Sequence, residues 1–147
     1  MKSVHKMYAF VHYCFGGRRL LKTRVRILAV DDDMDVLRNL ALMLSFEDYH
    51  VMTASSGMEA VSLLQQYQFD AVITDLRMPV IDGIEIVRRT QAMCPKTAII
   101  VTSRYFDDKT INWIHEKGVN SLQKPYNVHQ LSAMLRSFNL GQYEESV

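Results

Sequence analysis

From Val25 onward the chain repeats one unit: a short apolar run that closes on a polar residue, followed by a stretch with apolar positions at helical spacing. Runs that are apolar on both sides of the strand cannot sit on a sheet with one wet face. Each is also separated from the next by enough chain for a crossover helix. The pattern therefore predicts an open parallel sheet wrapped by helices on both faces, an α/β fold.

Five such units can be followed. Val25-Arg-Ile-Leu-Ala-Val30 ends in Asp31-Asp32-Asp33, and a helix then carries Val36, Leu37, Leu40, Met43 and Leu44 on one face. A strand is predicted over 49–54. Ser56 is placed to cap a helix with Ala60, Val61, Leu63 and Leu64, and the buried run from Phe69 to Thr74 ends at Asp75. After Met78-Pro79 and a turn expected at Asp82-Gly83, a helix through Ile84, Ile86 and Val87 leads past Pro95 to the strand Thr97–Val101, with Thr102 and Ser103 behind it. A helix around Ile111–His115 stops at Gly118, a C-cap candidate, and Val119–Gln123 forms a fifth strand before Lys124-Pro125. The last helix spaces Val128, Leu131, Leu135 and Phe138 for a core. Met58, Met78, Met93 and Met134 read as packing residues. The expected division is a basic extension over 1–24, helical or partly disordered, one domain over 25–140, and a tail over 141–147.

A chain of 147 residues with 48% hydrophobic content buries a core without staples. Cys14 and Cys94 form no C-x-x-C pair, so a disulfide framework is not expected, and the setting reads as reducing and cytoplasmic. Of the 17 basic residues, seven fall in 1–26 with no acid, which leaves ten against all 16 acids in the rest. The body is thus acidic and no DNA-binding domain is expected. The apolar stretch Met7–Phe15 is short and contains His12. It meets Gly16-Gly17-Arg18-Arg19 rather than a cleavage site, so neither a signal peptide nor a membrane span is expected. His5, His12 and Cys14 match no zinc spacing. The arm fits a partner-binding or membrane-surface amphipathic helix, or an upstream extension from a mis-chosen start codon.

The chemistry lies in where the polar residues fall. Asp31, Asp32, Asp75, Thr102 and Lys124 each sit at or just past the carboxyl end of an expected strand, which in an open α/β sheet is the ligand edge. Right-handed crossovers bring these ends together in one cleft. Crowded carboxylates need a cation, and Mg2+ takes oxygen ligands from one or two carboxylates with waters and phosphate oxygens. Asp32 and Asp75 suit direct ligation, Asp31 ligation through water, and a backbone carbonyl just after Asp75, that of Arg77, completes the set. With Mg2+ and Lys124 drawing charge, an Asp75 oxygen is placed to attack phosphorus, and Thr102 to hydrogen-bond a phosphoryl oxygen and so pull the loop behind it. Asp33 reads as a helix cap, and Lys124-Pro125 invites a cis bond.

The ordered set Ile27-Leu-Ala-Val-Asp-Asp-Asp33, Thr74-Asp-Leu-Arg-Met-Pro79, Asp82-Gly83, Ile99-Ile-Val-Thr-Ser103 and Lys124-Pro-Tyr126 resembles the CheY-like receiver domain of two-component signalling, over about Val25 to Phe138. The resemblance implies a doubly wound five-stranded flavodoxin-like sheet in the order 2-1-3-4-5. It implies Asp75 as phosphoacceptor with Lys124 and Thr102 as its catalytic company, and a histidine kinase or histidine phosphotransfer protein as donor. The domain would act as a non-enzymatic switch that loses its own phosphoryl group. Its output would be a downstream protein bound at the face of the fourth helix, fifth strand and fifth helix. Many members carry an aromatic residue three positions before the lysine; here Ser121 stands there, with Tyr105 and Phe106 as substitutes or as packing residues. Arg77 and Arg104, with Ser103 beside the latter, occupy positions that tune phosphorylation and dephosphorylation.

Two alternatives share part of this chemistry. A relay intermediate or phosphate sink has the same site and no target of its own. A phosphatase resembling the haloacid dehalogenases also forms an aspartyl phosphate, but that family has a second aspartate two residues after the nucleophile, where this chain has Arg77.

Overall fold

The computed structural model describes residues 24–140, so the expectations for the basic extension and for the tail fall outside the described residues. Among the described residues five strands, β1 (Arg26–Val30), β2 (His50–Ala54), β3 (Ala71–Asp75), β4 (Ala98–Ser103) and β5 (Asn120–Gln123), alternate with five helices. The helices are α1 (Met34–Ser45), α2 (Gly57–Gln66), α3 (Gly83–Met93), α4 (Asp108–Glu116) and α5 (Val128–Ser137). The sheet order is β2-β1-β3-β4-β5 with every pairing parallel, the expected order.

Alternate residues of each strand serve opposite layers. Ile27, Ala29, Ala71, Ile73, Ile100 and Leu122 meet Leu37, Leu40 and Leu44 of α1 and Leu131 and Leu135 of α5. On the other face Leu28, Val30 and Val72 meet Ala60 and Leu64 of α2 and Ile86 of α3, while Ile99 and Val101 meet Val87 of α3 and Ile114 of α4. Both faces are therefore covered, which is why the strands read as unbroken apolar runs. Leu131 is fully buried, and truncating such a residue to Ala costs about 2–5 kcal/mol.

Each helix starts where a polar side chain takes up its free N–H groups. Asp33, Ser56, Asp82, Asp107 and Asn127 are the five N-caps, the last within a reciprocal box with Gln130. All five follow strands, so the positive ends of the helices gather at the edge where the strands terminate. The C-cap of α4 is Lys117 rather than Gly118, and Gly118 follows it with φ 70°, the left-handed position that ends the helix.

Some details differ from the sequence reading. The bend expected at Asp82-Gly83 falls earlier, at Val80 with φ 69°, where the Ile81 N–H donates to the Pro79 carbonyl at 2.8 Å. Asp82 caps α3 instead. Met78 is buried and Met93 and Met134 pack against the core. Met58 is 64% exposed, because the buried face of α2 is set by Gly57, Ala60, Val61 and Leu64. Cys94 is buried and disulfide-bonded, against the expectation of unpaired thiols; spacing carries no information about such a bridge, and the chain's other cysteine lies outside the described residues.

Candidate functional site

The strand ends converge as the topology requires. In register, Val30 lies beside Thr74 and Asp75 beside Thr102, so the residues that follow β1, β3 and β4 share one edge. Asp31, Asp32 and Asp75 each offer a carboxylate oxygen, and these oxygens lie within 4.8 Å of one another. Asp31 and Asp75 are buried at 3% and 8% exposure, whereas Asp32 is exposed. Lys124, 93 residues after Asp31, closes the cluster: its Nζ donates to Asp31 Oδ2 at 2.7 Å and to Asp75 Oδ1 at 3.0 Å. The Lys124–Pro125 peptide is cis, as the dipeptide suggested.

Backbone contacts fix this geometry. Asp31 Oδ1 accepts the Asp33 N–H at 2.9 Å, so both oxygens of the buried Asp31 are engaged. The Leu76 N–H donates to the Thr102 carbonyl at 2.8 Å and the Gly83 N–H to the Leu76 carbonyl at 2.8 Å. Both bonds are made by Leu76, and they hold the chain immediately after Asp75. Gly83 is required there for space: a Cβ would stand 2.4 Å from the Asp75 carbonyl oxygen and 2.8 Å from Leu76 Cα. The Thr102 hydroxyl is buried and donates to the Thr74 carbonyl at 3.4 Å, a long bond.

The electrostatics follow from partial burial among like charges. Burial pushes the Asp75 carboxyl above its ordinary range; Lys124 opposes the shift, and the charges of Asp31 and Asp32 add to it. Burial alone would lower Lys124, but its bonds to Asp31 and Asp75 outweigh that and hold the ammonium above its ordinary range. Tyr126, half-buried against the same lysine, has its phenol raised by burial. The cleft is thus short of positive charge, and a cluster of three carboxylates against one ammonium fits an added divalent cation.

The remaining residues singled out in the sequence lie around this centre. The Arg77 side chain is exposed and its charge acts on Asp107, the cap of α4. Arg104 lines a groove of about 630 Å³ with Lys124, Tyr126, Val36, Leu40 and Met43. Ser103 is buried, its hydroxyl donating to the Tyr105 carbonyl at 2.8 Å. Ser121 is half-buried beside Val101 on β5. Phe106 packs as expected against the α3–α4 layer, but Tyr105 is 63% exposed and packs against nothing there. Asp33 caps α1. Sequence reasoning missed Gln123, whose Nε2 donates to the Arg104 carbonyl at 3.2 Å. Its one visible signal is a polar residue at the last position of a strand, which alone says nothing about a partner.

Comparison with known proteins agrees with this geometry. A family model of the response regulator receiver domain matches residues 27–136, and the chain belongs to that family of two-component signalling modules. It is similar to response regulator MprA of Mycobacterium sp. (strain KMS), 35% identical over 114 residues that make up 77% of this chain and 50% of that protein. The Mycobacterium leprae (strain TN) MprA is 33% identical over the same lengths. The chain spans about half the length of these relatives. Among solved structures, the Vibrio cholerae chemotaxis protein CheY4 superposes with a TM-score of 0.72 at 29% identity, covering 79% of this chain and 99% of that one. A signal receiver domain of an HD domain-containing protein from Pseudomonas fluorescens Pf-5 gives 0.74 at 29%, covering 80% and 95%. Receiver domains bind Mg2+ at an acidic pocket such as this Asp cluster and work with a kinase or phosphotransfer partner. Among the described residues, no helix is long and apolar enough to cross a membrane.

Proposed function

We propose that this chain is a Mg2+-dependent phosphoacceptor switch in the cytoplasm, taking a phosphoryl group on Asp75 from a histidine kinase or histidine phosphotransfer protein. The observation that carries the reading is Lys124 bonded to both Asp31 and Asp75 beside Asp32, at the end of the sheet where the helix N-termini also gather. An Asp75 oxygen attacks phosphorus in line. The donor's bond to phosphorus breaks, its electron pair leaves with the donor, and an acyl phosphate remains on Asp75. Lys124 gives up part of its hold on Asp75 to meet the phosphoryl oxygens. Asp32 and Asp75 would hold Mg2+ directly, with the Arg77 carbonyl, and the ion would supply positive charge to the site. Asp31 acts through water, a role consistent with both its oxygens being already engaged.

Thr102 carries the signal outward. Its hydroxyl leaves the long bond to Thr74 for a phosphoryl oxygen, which is charged and a stronger acceptor. Ser103, Arg104 and the Arg77 side chain set how fast the phosphoryl group arrives and is lost, and the changed surface at α4, β5 and α5 meets a downstream protein.

The test is intact mass after incubation with acetyl phosphate and Mg2+, with a cognate kinase as second donor, for the native chain and Asp75→Asn. A labile phosphoryl adduct that needs both Mg2+ and Asp75 is expected; none from either donor refutes the reading.

A further inference from the structure

The loop between β4 and α4, residues 104–107, starts two residues past Thr102 and leads into the cap of α4. The β4–β5 ladder ends with the Lys124 N–H on the Ser103 carbonyl at 2.8 Å. One residue further, the Arg104 carbonyl is beyond the reach of strand pairing, and the Gln123 carboxamide extends the ladder to it at 3.2 Å. Gln123 and Ser103 are register partners, so their side chains stand together on the face that carries α3 and α4. Ser103 holds the loop locally, donating its hydroxyl to the Tyr105 carbonyl at 2.8 Å and accepting the Tyr105 N–H at 3.3 Å. Gln123 is different in kind, because it ties the loop to the neighbouring strand. Ser121, two residues earlier on the same face of β5, is small and puts no bulk under the loop.

We propose that Gln123 is a positioning residue that latches the β4–α4 loop in the unphosphorylated chain, and that breaking its bond to Arg104 is a step by which modification of Asp75 reaches α4. The inference rests on Asp75 being the phosphoacceptor. Thr102 lies beside Asp75 in register, and its hydroxyl is held only by the 3.4 Å bond to Thr74. Turning that hydroxyl to a phosphoryl oxygen draws Ser103 and Arg104 toward β3 and away from β5. The Gln123 bond opposes this movement, and at 3.2 Å it is longer than the 2.8 Å Lys124–Ser103 backbone bond beside it, so of the two ties to β5 it parts first. A switch of this kind needs no aromatic side chain on β5.

The experiment uses the full chain, labelled for NMR and treated with acetyl phosphate and Mg2+, as wild type, Gln123→Met, Gln123→Glu and Gln123→Lys. In the wild type, phosphorylation moves the Gln123 side-chain amide resonances and those of Arg104–Asp107. Gln123→Met and Gln123→Glu, which cannot donate, show those loop shifts before phosphorylation. They also take the phosphoryl group roughly three- to five-fold faster at saturating donor, which is what one exposed hydrogen bond is worth. Gln123→Lys, which donates again, returns the saturating rate to near wild type, an outcome that a merely structural role does not give. Normal uptake with loop shifts and rates unchanged in Gln123→Met overturns the latch alone. A wild type that takes up no phosphoryl group overturns the phosphoacceptor reading and the latch with it.

Discussion

Two buried aspartates bracket β3 and do opposite things. Asp70 precedes the strand at 5% exposure and its Oδ2 accepts the Arg26 N–H at 2.8 Å, while its own N–H and carbonyl bond to Arg26 and Ala98. Asp75 ends the strand at 8% exposure and is held by the Lys124 ammonium, which it shares with Asp31. The first carboxylate is engaged by an amide that the sheet immobilises. The second is engaged by a side-chain cation that can be redistributed. Burial alone does not separate structure from function here; what separates them is whether the partner can be exchanged for a ligand.

The sharpest way to break this comparison is to exchange roles. Asp75→Asn is expected to abolish uptake of a phosphoryl group, read by intact mass, while the far-ultraviolet circular dichroism stays native. Lys124→Met removes the redistributable cation and is expected to slow uptake on the order of a hundred-fold in stopped reactions with acetyl phosphate, the usual cost of losing one preorganised charge partner. Asp70→Ala is expected to do the reverse: uptake at saturating donor unchanged, and folding weakened by about 1–3 kcal/mol in urea denaturation, because the Arg26 N–H loses its acceptor.

The smallest effect is on stability and pH. A carboxyl held above its ordinary range binds its proton more tightly in the folded chain than in the unfolded one. Its contribution therefore falls as pH rises from the ordinary Asp value, about 4, through the raised value. In metal-free buffer Asp75→Asn is expected to melt higher than the native chain at neutral pH, with the difference closing below about pH 4. A melting difference independent of pH would show that burying the charged Asp75 carboxylate, with Asp31 and Asp32 adding to the cost, is not what weakens this end of β3.

Much of the centre is legible in the sequence alone. Asp31, Asp32, Asp75, Thr102 and Lys124 stand at strand ends, and apolar runs between helical segments leave one arrangement in which strand ends meet. Other features were not legible, because they depend on which way a side chain turns. Tyr105 and Phe106 are neighbours of like character, yet Phe106 packs and Tyr105 faces solvent. Met58 reads as core and is exposed because it lies off the buried face of α2, which Gly57, Ala60, Val61 and Leu64 make.

The sequence by itself determined the layers, the strand order through its resemblance, and the set of residues gathered at the carboxyl edge, since apolar periodicity and the handedness of crossovers are properties of the chain. Only the tertiary structure decided how those residues are paired. Lys124 bridges Asp31 and Asp75, Asp32 stays exposed, and Gln123 reaches past the end of its ladder to Arg104. Pairing is a matter of ångströms between side chains up to 93 residues apart, and such distances exist only once the sheet has brought its edge together.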